Sequence, residues 1–360
     1  MSRDDWAPDT RAVRAGLPAA ERGEPFLPGP TFAAPYHLPG DPSGGPYNYG
    51  RYGNPTWSRY EAALGELEGG DAVVFASGMA AITAVLYVFA GDDDPGTVVV
   101  PSDGYFMTRR VAARLAASRG AELRLVPTTT DAIVQALDGA RLVMVESPSN
   151  PGLDVCDIGA VAEAARDSGA VLAVDNTLAT PLRQRPLDLG ADVSIGADTK
   201  ALTGHADLMM GHAAVRGHGH AEALRAWRRQ TGSIPGPFEV WLAHRSLATA
   251  GIRLQRQEAN ARALVDLLDV RDDVADVRHP GVAGAIGFDA GGRERAEAFL
   301  GACELVIEAT SVGGVHTTAE RRGRWGGDEV PDGWIRLSAG IEDSADVCAD
   351  VAQALDATRA

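Results

Sequence analysis

Short apolar runs rich in β-branched residues recur along the first two thirds of the chain, and helical patterns lie between them. The runs cover residues 72–76, 97–100, 142–145, 171–174 and 192–195, with helical patterns such as those at 107–118 and 158–168. Buried strands that alternate with helices are typical of a mostly parallel sheet covered on both faces. This alternation therefore predicts an α/β fold.

The composition and the residue pattern of the sequence change on either side of this alternating region. Residues 1–50 are rich in Pro and Gly, which predicts an extended arm that becomes ordered only against another surface. The break at 234–237 precedes a long helical stretch, roughly 238–268, and then a shorter α+β segment. At 360 residues the chain exceeds what one core usually fills. We predict an arm at 1–50, a large domain at 51–236 and a C-terminal domain at 237–360.

The charge balance and the cysteines exclude several classes of function. The chain has 33 Lys and Arg against 49 Asp and Glu, a net charge of −16, which disfavours binding to nucleic acid or to an anionic membrane. Three widely spaced cysteines and a charged start at Met1–Trp6 without a signal-peptide pattern predict a reducing, cytoplasmic location. The uncharged stretch 72–91 could span a membrane by length, but a strand, a Ser77-Gly78 turn and a buried helix explain it better.

Polar residues follow each of the predicted strands. In open α/β sheets, ligands collect at the carboxyl ends of the strands, so these residues should converge on one edge. They are Ser77–Met79, Ser102–Tyr105, Glu146–Pro151, Asp175–Thr177 and Asp198–Lys200.

Lys200 is the only lysine of the chain. Its amine can form a Schiff base, which an Arg cannot, although a lone Lys could also be a chance survivor in an Arg-rich sequence. Asp175 is either a turn residue or a carboxylate directed at a pyridinium nitrogen, whose positive charge makes the ring an electron sink. Ser77-Gly78-Met79 opens a helix directly after a strand, where free N–H groups favour a phosphate.

Seven segments, some of which contain the residues above, resemble the motifs of one family in the same order along nearly the whole chain. This family is the Cys/Met-metabolism enzymes that use pyridoxal phosphate (PLP), which include cystathionine γ-synthase and γ-lyase. Tyr47–Thr56 is similar to the family's Tyr-x-Tyr-x-Arg-x-x-Asn-Pro-Thr segment. The other segments are Ala76–Ile82, Glu146–Pro151, Val174–Thr177, Thr199–Lys200 followed by Gly204–Asp207, Ser311–Gly314 and Arg336–Asp343. The resemblance implies a fold-type-I PLP-dependent transferase fold, aspartate aminotransferase-like, with a mostly parallel central sheet and a smaller C-terminal α+β domain. It also implies a homotetramer built from dimers that share active sites.

The resemblance assigns the central catalytic roles to three residues. Lys200 would hold PLP as a Schiff base and then move protons, and Asp175 would bind the pyridine nitrogen. Tyr105 would stack on the ring and help to activate the amine or the leaving group.

Further positions are implied to bind the cofactor and the substrate. Those for the cofactor phosphate are Ser77, Gly78, Met79 and Thr199, together with Tyr49 and Arg51 reaching into a neighbouring subunit. Asn150 would lie near the ring hydroxyl, and Arg336, with Ser311 and Asn150 beside it, would clamp the substrate carboxylate. No metal site is expected, because the histidines at 205, 212, 218 and 220 are better explained by the lysine loop and an exposed turn.

Several departures from the family pattern lie where the substrate side chain is expected. Ala197 replaces a Ser that contributes a phosphate hydroxyl, His316 replaces a Glu, and Phe106-Met107 replaces a Gly-Gly pair. The segment 321–325, with three arginines, is either a charged surface loop or a rim that binds an acidic group. The cofactor chemistry is therefore expected to be retained, whereas the sequence does not identify the substrate.

Three functions remain in view. The first is a PLP-dependent γ-elimination lyase acting on an L-amino acid with a Cγ leaving group; a specialised biosynthetic lyase that releases halide to form an unsaturated or alkyne amino acid is one version of it. The second is a γ-synthase, in which a thiol captures the same intermediate. The third is a catalytically silent PLP-binding subunit, against which the joint presence of Lys200, Asp175, Tyr105 and Arg336 argues.

Overall fold

A seven-stranded sheet forms the centre of the molecule in the computed structural model, which describes residues 6–41, 44–91 and 96–359. Its strands are β1 (Asp71–Phe75), β2 (Thr97–Pro101), β3 (Glu122–Val126), β4 (Ala140–Glu146), β5 (Val171–Asp175), β6 (Val193–Gly196) and β7 (Gly211–Val215). They lie in the order β1-β7-β6-β5-β4-β2-β3. Pairing is parallel from β3 to β6, and β7 is antiparallel to both of its neighbours. The predicted α/β fold with a mostly parallel sheet is confirmed.

Helices cover both faces of this sheet because both faces are apolar. In β1, Val73 and Phe75 pack on one side, while Ala72 and Val74 pack on the other. The first side is covered by α3 (Gly78–Phe89), α4 (Phe106–Arg119) and α7 (His218–Thr231). The second side is covered by α2 (Pro55–Glu68), α5 (Thr130–Gln135), α6 (Ile158–Ser168) and α8 (Pro237–Leu247).

A smaller five-stranded sheet follows in the chain. Its strands are β8 (Ala275–Arg278), β9 (Ala285–Asp289), β10 (Ile307–Glu308), β11 (Thr318–Arg321) and β12 (Trp334–Ser338), in the order β10-β11-β12-β9-β8. It packs against α10 (Arg293–Ala302), α11 (Ser344–Ala357) and the second half of α9 (Ala250–Asp269). The first half of α9 belongs to the other core, since Leu254 packs with α2 and α8. The predicted domain limits at 50 and 236 stay predictions.

The structure refines three of the sequence expectations. The stretch 72–91 is β1 followed by α3, as interpreted, and within the described ranges no helix is long and apolar enough to cross a membrane. The long helix expected at 238–268 is two helices, because the chain turns between Leu247 and Ala250. The arm also begins with a helix, α1 (Pro8–Arg14), which buries Ala12 against the large core. Residues 1–5, whose charge argued against a signal peptide, lie outside the described residues.

Two strands of the large sheet were not predicted, β3 and β7. β3 is an edge strand whose residues are half-buried or exposed, so charged side chains break its apolar pattern. β7 is fully buried, but its sequence Gly-His-Ala-Ala-Val is small and weakly β-forming. Tertiary packing therefore decided both strands.

We expect Gly211→Ala to destabilise the fold by about 1–3 kcal/mol, because β7 passes so close to the start of α3. A Cβ at Gly211 would lie 2.5 Å from the backbone nitrogen of Gly78, which cannot move aside as a flexible side chain could. Gly219→Ala in α7 is the matched control, since a Cβ there would meet nothing within 4 Å. Urea unfolding measures both variants, and equal stabilities would contradict the tight approach.

Candidate active site

The polar residues predicted to converge do lie at one edge of the large sheet. Glu146 ends β4 and Asp175 ends β5, and the two are register partners. Asp175 is in turn paired with Ile195 of β6, and Lys200 lies in the turn that follows β6. The N–H of Lys200 donates to the carbonyl of Ala197 at 3.0 Å, which holds the turn against the strand end. The parallel register therefore brings the amine and the two carboxylates to the same edge.

The amine of Lys200 is hydrogen-bonded to Ser311, which lies between β10 and β11 of the smaller sheet. Its Nζ donates to Ser311 Oγ at 2.9 Å. Ser311 has a φ of 87°, a backbone conformation that non-glycine residues rarely adopt and that is often found at functional sites. Burial first, and then the charges of Arg336 and Arg322, lower the pKa of Lys200 to about 8. About a tenth of this amine would therefore be unprotonated at pH 7, far more than for an ordinary lysine, and the unprotonated form is the nucleophile.

The two neighbouring carboxyl groups titrate differently. Burial raises the pKa of Asp175, but the N–H of Thr177, which donates to Oδ1 at 3.0 Å, opposes this, as do His212 and Lys200. Burial raises the pKa of Glu146 well above its usual range, and the nearby Asp175 adds to it, although the N–H of Tyr105 donates to Oε2 at 2.6 Å. Of the pair, Asp175 is therefore the carboxyl group that ionises more readily.

The start of α3 offers free backbone donors. Gly78 and Met79 lie in the first helical turn, where N–H groups have no acceptor within the helix. The Ser77 hydroxyl caps the helix and accepts the N–H of Ala80 at 3.1 Å. A Cβ at Gly78 would lie 2.5 Å from the Cβ of Ala197, so the helix start approaches the lysine turn closely only because residue 78 is Gly. The positive end of the helix dipole here favours an anion such as a phosphate.

Thr199 directly precedes Lys200, and its hydroxyl is already hydrogen-bonded. Thr199 Oγ1 donates to the carbonyl of Met210 at 3.1 Å and accepts the N–H of Met210 at 2.9 Å. The lone pair that remains can accept but not donate, so its assignment to the cofactor phosphate stays a prediction.

Arg336 is buried and is held in place by three neighbours, Asn150, Ser311 and Glu320. One guanidinium nitrogen, Nη1, donates to Asn150 Oδ1, and Nη2 donates to the carbonyl of Ser311 and to Glu320 Oε2, both at 3.1 Å. Burial lowers the pKa of Arg336 to about 10, so it keeps its charge at neutral pH. Its Nε is buried and has no hydrogen-bond partner among the described residues. An unpaired donor of this kind is suited to a carboxylate ligand.

Glu320 organises this corner of the site and was not identified from the sequence. It is 0% exposed and accepts from four groups: Arg322 and Arg336 on Oε2, and Arg324 and Trp325 on Oε1. The arginines of the segment 321–325 are all engaged with acids of the chain: Arg321 with Asp332, Arg322 with Glu320 and Asp328, and Arg324 with Glu308 and Glu320. These contacts favour a structural role for the segment over a rim that binds an acidic ligand.

Three further predicted residues, Tyr105, Arg51 and Tyr49, have surroundings that do not by themselves show a role in the site. Tyr105 precedes α4, and its ring lies 5.2 Å from that of Phe106. Arg51 donates to the carbonyl of Arg229 at the end of α7, at 2.6 Å, and the ring of Tyr49 is 44% exposed. Among the described residues no contact joins Tyr49 or Arg51 to the lysine turn, so their assignment to a neighbouring subunit stays a prediction.

No metal centre is seen in the part of the chain that the structure describes: no group of three or more His, Cys, Asp and Glu residues there could hold an ion. His205 Nδ1 lies 2.6 Å from the carbonyl of Thr203, and His212 is buried between two carboxylates.

The family described as "Cys/Met metabolism PLP-dependent enzyme" matches residues 30–356. The chain belongs to this family. A Streptomyces coelicolor protein provisionally named cystathionine γ-lyase is 52% identical, over 97% of this chain and 93% of the relative. A cystathionine γ-synthase of Mycobacterium tuberculosis is 35% identical, over 97% and 96%. The structure of a methionine γ-lyase from Micromonospora echinospora superposes with a TM-score of 0.90 at 34% identity, over 97% and 99%.

These likenesses confirm the prediction of a fold-type-I PLP-dependent enzyme of the cystathionine γ-lyase and γ-synthase type, with PLP as its cofactor. The residues present fit that group. Lys200 would hold it covalently, Asp175 would face its ring nitrogen, and the N–H groups of Gly78 and Met79 would hold its phosphate. When bound, PLP supplies a conjugated, positively charged ring that stabilises negative charge on an attached amino acid.

Because Lys200 is the only lysine, its amine can be titrated chemically without interference from others. We expect the rate at which an amine-acylating reagent modifies Lys200 in the apoprotein to rise with a midpoint near pH 8, because burial and two arginines disfavour the charged amine. Peptide mapping by mass spectrometry separates this site from the N-terminal amine. The same peptide in urea-unfolded chain is the control and should titrate near 10.4. A folded-state midpoint of 10 or above would contradict the site's electrostatics.

Proposed function

We propose that this protein is a PLP-dependent lyase that eliminates a substituent from Cγ of an L-amino acid. The observation that carries the proposal is the pairing of two groups. One is a buried amine poised to exchange protons near neutral pH, Lys200, and the other is a buried guanidinium with an unpaired donor, Arg336. The likeness to γ-lyases supports the reaction type.

Arg336 orients the substrate. Its contacts with Asn150, Ser311 and Glu320 hold the guanidinium rigidly, so a substrate carboxylate would bind without a large loss of side-chain entropy. The same Ser311 holds the amine of Lys200 at 2.9 Å, which ties the carboxylate site to the proton-transferring group. A substrate bound through its carboxylate is thereby placed with its Cα near Lys200.

Lys200 moves the protons. An amine whose pKa lies near the working pH can take a proton from one carbon and return it to another at low cost. γ-Elimination requires two such removals, at Cα and then at Cβ, before the Cγ substituent leaves. Asp175, kept anionic beside the ring nitrogen, would support both.

A γ-synthase is the second candidate, because a γ-synthase of Mycobacterium tuberculosis is 35% identical over 97% of this chain. A synthase shares every step up to the loss of the γ-substituent and then adds a thiol. The residues described here serve both reactions, and the outcome depends on whether a thiol reaches the site before hydrolysis.

We propose further that the protein acts in the cytoplasm as a homotetramer built from dimers. Apolar side chains on the arm support an assembly, since Phe26 is 89% and Phe32 73% exposed. A cleft of about 690 Å³ beside the lysine turn is lined by Thr199, Ser311 and the exposed Met209, and a neighbouring subunit would close it.

The first test separates the two reactions. Holoenzyme incubated with L-cystathionine or with an O-acyl-L-homoserine should release ammonia and an oxo acid, and added cysteine should not divert most of the product. Mass spectrometry and an ammonia assay measure both. If a thioether is the main product whenever cysteine is present, the synthase is favoured. If neither amino-acid substrate is converted, a catalytically silent subunit is favoured.

The second test addresses Arg336. We expect Arg336→Gln to raise the KM for the amino acid about ten- to hundred-fold, because a charge-assisted hydrogen bond to the substrate carboxylate is lost. Steady-state kinetics measure the change. Arg293→Gln, on the exposed side of α10, is the control and should leave KM unaltered. An unchanged KM in Arg336→Gln would exclude this carboxylate site.

A further inference from the structure

A set of buried polar side chains lies directly behind the turn that carries Lys200. His212 on β7 has a carboxylate at each ring nitrogen: Nδ1 is 2.5 Å from Asp198 Oδ1, and Nε2 is 3.0 Å from Glu68 Oε1. The hydroxyl of Tyr60 donates to Asp198 Oδ2 at 3.1 Å. All four residues are buried, with 0% exposure. We refer to Tyr60, Glu68, Asp198 and His212 as the His212 network.

The geometry requires His212 to be charged. A neutral imidazole has one donor and one acceptor nitrogen, and an acceptor nitrogen facing a carboxylate oxygen would oppose two lone pairs. With a carboxylate at both nitrogens, the ring satisfies both only as the imidazolium. Burial by itself lowers the pKa of His212, but Asp198 and Glu68 outweigh it and raise the pKa to about 10.

The network reaches the active site at two points. Asp198 directly precedes Thr199 and Lys200, and its carbonyl accepts the N–H of Thr203 at 3.1 Å, which closes the turn. His212 is also the register partner of Gly196 on β6, and a Cβ at Gly196 would lie 2.5 Å from the His212 ring. The imidazolium therefore supports the turn from the opposite face of the sheet.

The charge of His212 also acts on Asp175, which lies across β6 from it, paired with Ile195. Asp175 is buried beside Glu146, and burial opposes its ionisation. The nearby cations are His212 and Lys200. Lys200 changes its charge during the proposed reaction, whereas His212 has no exposed surface and keeps its proton.

We propose that His212 is a positioning residue for the cofactor site. Through Asp198 it fixes the turn that presents Thr199 and Lys200, and its buried positive charge keeps Asp175 ionised against the ring nitrogen of PLP. This role rests on the proposed function, because it serves the same site.

A pair of variants separates this role from a role in folding. His212→Gln alone leaves Glu68 and Asp198 buried without a cation, which endangers the fold. Glu68→Gln combined with His212→Gln keeps the net charge of the network at −1, since only Asp198 then stays charged. Tyr60→Phe is the matched control, because it removes one hydrogen bond from Asp198 and leaves every charge in place.

The readouts are the melting temperature of the apoprotein, the PLP dissociation constant from absorbance titration, and kcat and KM. We expect the double variant to melt near wild type, to bind PLP about tenfold or more weakly and to lose about tenfold or more in kcat, while KM changes less than about threefold. Tyr60→Phe should change the PLP affinity less than about threefold. Double-variant values equal to wild type would overturn the proposal.

A further readout, which a purely structural role of His212 would not affect, is whether the double variant changes kcat when Asp175 is already replaced. Asp175→Asn removes the charge that His212 is proposed to preserve, so adding the double variant to it should lower kcat by less than about threefold. Effects that multiply would show that the network acts independently of Asp175 and would overturn the proposed electrostatic role of His212. If the double variant does not fold, ¹⁵N NMR of the ring nitrogens decides: the wild-type His212 should carry two protons at pH 8, and a neutral ring would overturn it.

Failure of this inference is distinguishable from failure of the proposed function. Wild-type protein incubated with PLP and borohydride should carry the reduced cofactor on the Lys200 peptide, by mass. If the wild-type Lys200 peptide does not carry the reduced cofactor, the proposed function is refuted. If it does, but the double variant binds PLP and turns over like wild type, only the role of His212 is refuted.

Discussion

The parallel register of β4, β5 and β6 is the constraint on which the site depends. It aligns Glu146, Asp175 and Ile195 at neighbouring strand ends, and the turn after Ile195 then delivers Lys200 beside the carboxylates. A shift of one residue in either pairing would move these side chains to the other face of the sheet, where α2, α6 and α8 pack. Burial on both faces fixes the register, so the packing of the core also sets the geometry of the chemistry.

Buried charge is tolerated here because it is shared among several partners. Glu320 accepts from Arg322, Arg324, Trp325 and Arg336, which all lie on β12 or directly after β11 of the smaller sheet. Arg336 in turn donates to Asn150, which follows β4 of the large sheet. On the far side of the large sheet, His212 balances two further carboxylates. The amine of Lys200 is buried and lies near Arg336 and Arg322, and for these reasons its pKa falls to about 8.

Most of the large sheet and the centre of the site could be predicted from local patterns. The β-branched runs identified five of its seven strands, and the polar residues after them included Asp175 and Lys200. β7 escaped because Gly, Ala and His give no strand signal, and β3 escaped because charged residues interrupt an edge strand. Glu320 and His212 were not identified, because each acts through partners distant in sequence, such as Arg336 and Glu68, which no spacing rule connects. Asp198 was placed at the sheet edge, but its contact with His212 was not predicted.

The sequence by itself determined the α/β class, the family and its cofactor, because alternating apolar runs and short motifs are local properties of the chain. The tertiary structure alone decided how the charges are partnered. The arginines of 321–325 pair with acids of their own chain, and the hydroxyl of Thr199 bonds to Met210. His212, on a strand that was not predicted, lies behind the turn that carries Lys200. The physical reason is that electrostatic interactions depend on distance and burial, and both are set only once residues far apart in the chain are packed together.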